Sequence, residues 1–139
     1  MNYTFDMFSD DINNIVKQIK EDKFEPFTVI GITRGGLIPA TMLAHALNIK
    51  NVEALNFNDD LKLNPIFRVI NKYNLEVLVV DDIVDTGDTF LKVKKLFPNC
   101  KYTSLIYNRG QILGEPDFYG RTIDKTLDPS WITFWWENE

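Results

Sequence analysis

Val77-Leu78-Val79-Val80-Asp81-Asp82-Ile83-Val84-Asp85-Thr86-Gly87-Asp88-Thr89 is the stretch that decides the fold. Its first four residues are apolar and mostly β-branched, the pattern of a central strand buried on both faces of a parallel sheet. The run leads straight into Asp81-Asp82 and so brings two carboxylates to the carboxyl end of that strand. After a loop from Ile83 to Asp88, the spacing of Phe90, Val93, Leu96 and Phe97 returns to a helical period, which Pro98-Asn99 stops. Amides at such a helix start, with the Thr86 and Thr89 hydroxyls, form a cradle for a phosphate without any basic side chain. Asp81 and Asp82 suit vicinal sugar hydroxyls or a hydrated Mg²⁺, because hard cations prefer oxygen ligands.

Outward from this stretch, strand and helix patterns alternate. Ile12, Ile15, Val16 and Ile19 define a helix over residues 9 to 22, with Ser9 as its N-cap. Phe27 to Ile32 is a β-rich run, and Leu37 to Leu47 reads as a helix that tolerates Pro39 in its first turn. Val52 to Phe57 suits a strand, Lys101 to Tyr107 a fourth, and Trp131 to Trp136 a fifth. Between the second and third strands, Asn58 to Lys72 is polar and irregular around Pro65 and is expected to be a mobile loop. The alternation implies an α/β domain, a mainly parallel sheet flanked by helices, whose ligands sit beyond the carboxyl ends of the strands.

Length and composition agree with one domain over residues 1–139. The chain is 45% hydrophobic and 25% charged, and its net charge of −5 argues against a general nucleic-acid binder. No apolar run approaches the roughly 18 residues of a membrane span, and the first residues lack the pattern of a signal peptide. The single cysteine, Cys100, excludes an internal disulfide and points to a reducing cytoplasm. Cys100 has no neighbouring His or second Cys that would indicate a metal site or an activated thiol, and His45 reads as a helix-surface residue.

Two further segments bear on function. Thr33-Arg34-Gly35-Gly36 follows the first central strand, and Trp131-Ile132 with Trp135-Trp136 closes the chain. Together with the acidic stretch they resemble the type I phosphoribosyltransferases, closest to the xanthine–guanine branch. Residues 77–89 look like that family's signature for 5-phosphoribosyl 1-diphosphate (PRPP), and Thr33 to Ala40 is similar to its diphosphate-binding loop. The resemblance implies a family fold with a flexible hood loop and transfer of ribose 5-phosphate from PRPP to a 6-oxopurine, with Mg²⁺ as cofactor. The products would be diphosphate and a nucleoside 5′-monophosphate, in purine salvage.

The same resemblance implies the site. Thr33, Arg34, Gly35 and Gly36 would take the diphosphate, with Arg34 as a forked cationic donor. Asp81 and Asp82 would hold ribose hydroxyls and the metal, and Ile83, Val84, Asp85, Thr86, Gly87, Asp88 and Thr89 would complete the PRPP site. Asp85 would also stand near the purine imidazole ring to accept its proton. Asn108, Arg109, Trp131 and Ile132 would line the base pocket, with Trp131 stacked on the purine. A Lys usually follows the fourth strand in this branch, and an ungapped register puts Asn108 there with Arg109 next. Arg68 and Lys62 are the two candidates for a basic hood residue. The family also implies a homodimer or homotetramer.

Two other classes compete. A non-catalytic PRPP- or nucleotide-binding regulator could use the same fold. Asp85-Thr86-Gly87, with Ile112-Leu113-Gly114 later, also imitates aspartic protease elements, although such proteases are almost entirely β.

Overall fold

In the computed structural model, which describes residues 1–56 and 65–137, the acidic stretch forms the middle strand of a five-stranded sheet. In chain order the elements are β1 (Asn2–Tyr3), α1 (Phe5–Asp22), β2 (Thr28–Ile32), α2 (Leu37–Ala46), β3 (Val52–Leu55), α3 (Pro65–Tyr73) and β4 (Val77–Val84). There follow α4 (Asp88–Leu96), β5 (Cys100–Asn108), β6 (Phe118–Ile123), β7 (Thr133–Phe134) and a 3₁₀ turn, Trp135–Glu137. The sheet order is β3-β2-β4-β5-β6, and every neighbouring pair is parallel. The expected α/β architecture is therefore present, with β4 at its centre.

Alternation along β4 explains the two layers of core. Leu78 and Val80 face a cluster with Ile12, Ile15 and Ile19 of α1 and Leu43 of α2, whereas Val77 and Val79 face Phe67 and Ile70 of α3 and Val93 of α4. Each such fully buried aliphatic side chain contributes about 1.5–3 kcal/mol relative to exposure. Both faces of the strand are thus covered, and its carboxyl end is left as the rim on which chemistry can be mounted.

Several boundaries differ from the sequence reading. Helix α1 starts earlier than residue 9, because Thr4 Oγ1 accepts from the Met7 amide at 3.2 Å and acts as the N-cap in place of Ser9. The added turn brings Phe5 and Phe8 edge-on to Trp135, with ring centroids 5.4 and 5.6 Å apart. The fifth strand of the main sheet is β6, not residues 131 to 136, which supply only the two-residue β7 paired with β1. Gly120 and Arg121 disguise β6 in the sequence, since one face of this edge strand rests on a polar patch of α1. There the buried Asp11 carboxylate accepts from Arg121 Nε at 2.8 Å and from the Tyr3 hydroxyl at 2.6 Å. Burial and the Asp11 carboxylate push the Tyr3 phenol well above its usual value.

The expected loop from 58 to 72 divides. Residues 65–72 belong to helix α3, which buries Phe67 and Ile70 one turn apart, so this part is an ordered helix and not a mobile loop. Residues 57–64, including Lys62, lie outside the described residues, and Arg68 occupies an exposed position on α3. The all-parallel sheet with four helices also removes the aspartic protease reading, and Asp85-Thr86-Gly87 leads into α4 as the helical spacing predicted. No helix among the described residues is long and apolar enough to cross a membrane.

Candidate active site

Strand β4 continues to Val84, because its ladder with β5 runs on through Asp81↔Ser104, Ile83↔Ile106 and Val84↔Tyr107. Asp81 and Asp82 therefore sit within the last turns of the strand, not beyond its end, and the loop shortens to Asp85–Gly87. Asp81 is buried, its carboxylate accepting from the Tyr102 hydroxyl at 2.8 Å and from the Asp82 amide at 2.9 Å. Burial, followed by the neighbouring Asp82 charge, raises the Asp81 carboxyl well above the ordinary carboxylate range. Asp82 is half-buried and accepts from the Ile83 amide at 2.8 Å. Tyr102 is a site residue that the sequence did not single out. It lies directly across the ladder from Val79, and the Phe90 ring stands edge-on to it at 5.2 Å.

Beyond Val84 the chain turns through Gly87, whose φ of 92° lies in the left-handed region that glycine adopts without a Cβ penalty. Gly87 is the N-cap of α4, and the Asp88 amide donates to Thr86 Oγ1 at 3.3 Å. Asp81, Ile83, Val84, Asp85, Thr86, Gly87 and Thr89 line one small cavity at this helix start. The exposed Asp88 is at its edge, in the first turn of α4.

Thr33 to Gly36 forms the turn between β2 and α2, with a cis peptide between Thr33 and Arg34. Thr33 is tied to the end of β3 by its amide, 3.0 Å from the Leu55 carbonyl, and Arg34 projects as an exposed cation. Gly35 lies so close to Asp82 that an added Cβ would overlap its carboxylate, and one on Gly36 would overlap the Val80 carbonyl. The arginine-glycine turn and the acidic strand end thus share one rim.

The group around Asp85 and Trp131 is assembled differently. Asp85 Oδ2 is 2.7 Å from Lys125 Nζ, and Lys125 follows β6 in the turn that begins at Asp124. Lys125 Nζ also lies 6.0 Å from the centre of the Trp131 ring, which is 79% exposed. Asn108 joins this group without offering its side chain to a ligand. Its Nδ2 donates to the Asp85 carbonyl and carboxylate at 3.1 and 3.2 Å, and its Oδ1 accepts from the Gly110 and Lys125 amides at 3.0 and 3.1 Å. The Asn108 amide is thus bonded within the protein at both ends.

Ile132 is buried in the core beside α1, and with the exposed Arg109 it lines a separate cavity of about 350 Å³ that also borders Asp124 and Leu127. Trp135 and Trp136 pack against Phe8, and Trp136 stacks on Phe134 at 4.7 Å, so these rings close the core. Sequence reasoning missed Lys125, because it sits one strand later than the position where a cation was sought. His45 is exposed on α2. Burial pushes the Cys100 thiol up to about 11, as suits an inert cysteine, with Lys94 partly offsetting it.

Among the described residues, no three His, Cys, Asp or Glu side chains gather in a way that could cage a metal. Asp81 and Asp82 nevertheless fit an ion of the Mg²⁺ type, which takes one or two carboxylates and completes its shell with water and substrate phosphates.

A parallel sheet whose middle strand carries paired carboxylates near its carboxyl end, followed by a glycine-opened helix and flanked by an Arg-Gly-Gly turn, defines an α/β protein whose sheet rim has the chemistry to hold a phosphorylated ligand. The chain belongs to the phosphoribosyl transferase domain family, whose model matches residues 5–137. It is 28% identical over 138 residues to a xanthine-guanine phosphoribosyltransferase of Chromohalobacter salexigens, covering 96% of this chain and 82% of that one. A purine phosphoribosyltransferase from Pyrococcus horikoshii superposes with a TM-score of 0.75 at 24% identity, covering 100% of this chain and 94% of that one. A xanthine-guanine-hypoxanthine phosphoribosyltransferase of Helicobacter pylori gives a TM-score of 0.72 at 24% identity, covering 98% and 92%.

Proposed function

We propose that this phosphoribosyltransferase acts on purines, transferring ribose 5-phosphate from PRPP to a 6-oxopurine such as guanine, xanthine or hypoxanthine in purine salvage. The observation that carries the reading is the Asp85–Lys125 pair at 2.7 Å, set between the phosphate loop and the exposed Trp131 ring. A 6-oxopurine presents a ring N–H beside a carbonyl oxygen. A carboxylate and an ammonium side by side are the complement of that edge, and Trp131 is placed to cover the ring face. Adenine would set an amino group against the ammonium instead. The names of the curated relatives agree with a purine substrate.

In the reaction, the bond from the anomeric carbon to diphosphate breaks with its electron pair, one imidazole nitrogen of the purine forms a bond to that carbon with its lone pair, and the proton on the other imidazole nitrogen, beside the carbonyl, leaves to Asp85. Positive charge builds on the ribose ring, so the catalyst must neutralise the leaving group and exclude water. Arg34 and the Gly35 amide serve the leaving diphosphate, whereas the expected Gly36 amide is already donated to the Ile32 carbonyl at 2.8 Å, so Gly36 serves by letting the turn lie close against the sheet. Asp82, with Asp81, holds the ribose hydroxyls, and the amides and hydroxyls from Asp85 to Thr89 hold the 5′-phosphate. Asp82, with Asp81, would hold Mg²⁺, which when bound would supply further charge neutralisation. The protein is proposed to work in the cytoplasm as a homodimer or homotetramer.

Diphosphate release from PRPP and Mg²⁺, measured with guanine, xanthine, hypoxanthine, adenine, orotate and uracil, tests the proposal. Release is expected with one or more 6-oxopurines and not with adenine, orotate or uracil. Release with none, together with retained PRPP binding, would replace the enzyme by a nucleotide-binding regulator on the same fold.

A further inference from the structure

Asn108 is the last residue of β5 and only 7% exposed, yet its side chain meets three separate parts of the chain. Nδ2 reaches the β4–α4 turn through two contacts to Asp85, while Oδ1 receives the Gly110 amide from the turn after β5 and the Lys125 amide from the turn after β6. The two backbone donors require the oxygen at one end of the amide, and the Asp85 acceptors require the nitrogen at the other. Few side chains satisfy both ends. An apolar residue of similar size leaves two N–H groups and Asp85 Oδ1 unserved, and a carboxylate at this position faces Asp85 with like charge.

The consequence reaches past local satisfaction. Lys125 Nζ stands 2.7 Å from Asp85 Oδ2, and the Lys125 backbone is fixed by the same amide that holds Asp85 directly. One buried side chain thus grips both members of the pair, the carboxylate by its own oxygen and the lysine by its main chain. We propose that Asn108 is a positioning residue that sets the spacing and orientation of Asp85 and Lys125, and through them which ring edge the site accepts, without itself touching the base. The inference rests on the reading of Asp85 and Lys125 as the base-facing pair.

Two variants test it. Asn108→Leu removes both ends of the grip, whereas Asn108→Asp keeps the oxygen acceptor for Gly110 and Lys125 and loses the donor to Asp85. In folded Asn108→Leu, amide hydrogen exchange at Gly110 and Lys125 is expected to accelerate about tenfold or more. With the preferred base, kcat should fall about 100-fold and the base KM rise about tenfold while the PRPP KM stays within about threefold, as befits misplacement of a reacting group. Asn108→Asp should keep the amide protection yet lose kcat, and it carries the test alone if the leucine variant fails to fold. Unchanged kinetics in either folded variant, or an equal rise in both KM values, would overturn the proposal. So would unaltered protection in Asn108→Leu, or protection lost in Asn108→Asp. If the parent protein transfers ribose phosphate to no base, the functional reading fails, while the exchange data still decide whether Asn108 holds the Lys125 turn.

Discussion

The phosphate side and the base side of this site are built in opposite ways. The phosphate side of the proposed site comes from two continuous runs, Thr33 to Gly36 and Asp81 to Thr89, in which main-chain amides, glycine conformations and strand ends would do most of the binding. The base side is collected from Asp85, Asn108, Lys125 and Trp131, which meet only because β4, β5 and β6 lie next to one another in that order. A backbone cradle must be contiguous, since its donors are consecutive amides. A side-chain pocket can draw each group from a different strand end, and its members can move along the sequence as long as the tertiary spacing survives. Asp85 belongs to both halves and is the point at which they join.

Lys125→Met breaks the base half while leaving the phosphate half alone. Loss of a hydrogen bond to a charged group costs about 1.5–3 kcal/mol, so the base KM should rise about 10- to 100-fold. Steady-state kinetics in which each substrate is varied separately check this, and the PRPP KM is expected to change by no more than about threefold. A comparable rise in both constants would mean that the two halves are not separable.

Asp81→Asn probes the phosphate half, with a smaller effect that appears in stability. Asp81 ionises at higher pH in the folded chain than in an unfolded one, so its contribution favours folding below the ordinary carboxyl range and is lost as pH rises through the raised value. The variant should therefore have a higher Tm than the parent near neutral pH, with the difference shrinking toward about pH 4. PRPP turnover should fall at the same time, because the carboxylate is removed. Thermal unfolding across that pH window checks the sign, and a lower Tm at neutral pH would show that the Tyr102 contact outweighs the buried charge.

The same contrast explains what could be read in advance. Val77 to Thr89 was legible because burial on both faces, paired carboxylates and a glycine turn are local properties, and α4 and β5 followed from simple periodicity. Helix α3 was hidden because one Pro and a polar flank obscured Phe67 and Ile70, although their spacing is helical. Strand β6 escaped because Gly120 and Arg121 break its alternation, and their reason is Asp11, over a hundred positions earlier in the chain. An ungapped register after the fourth strand put the position of the expected cation at Asn108, with Arg109 next, away from Lys125. The position of Asn108 at the site was anticipated, but its role was not, since nothing local announces that both ends of its amide are occupied by protein.

The central claim is that Asp85 joins a phosphate cradle to a base-facing pair and accepts the imidazole-ring proton of the incoming purine. It is tested most directly by comparing PRPP binding and turnover in Asp85→Asn. The account predicts a fall in kcat of about 100-fold or more, with the PRPP dissociation constant within about threefold of the parent. Equal loss of PRPP affinity and turnover would contradict it and make Asp85 a residue of the phosphate cradle alone.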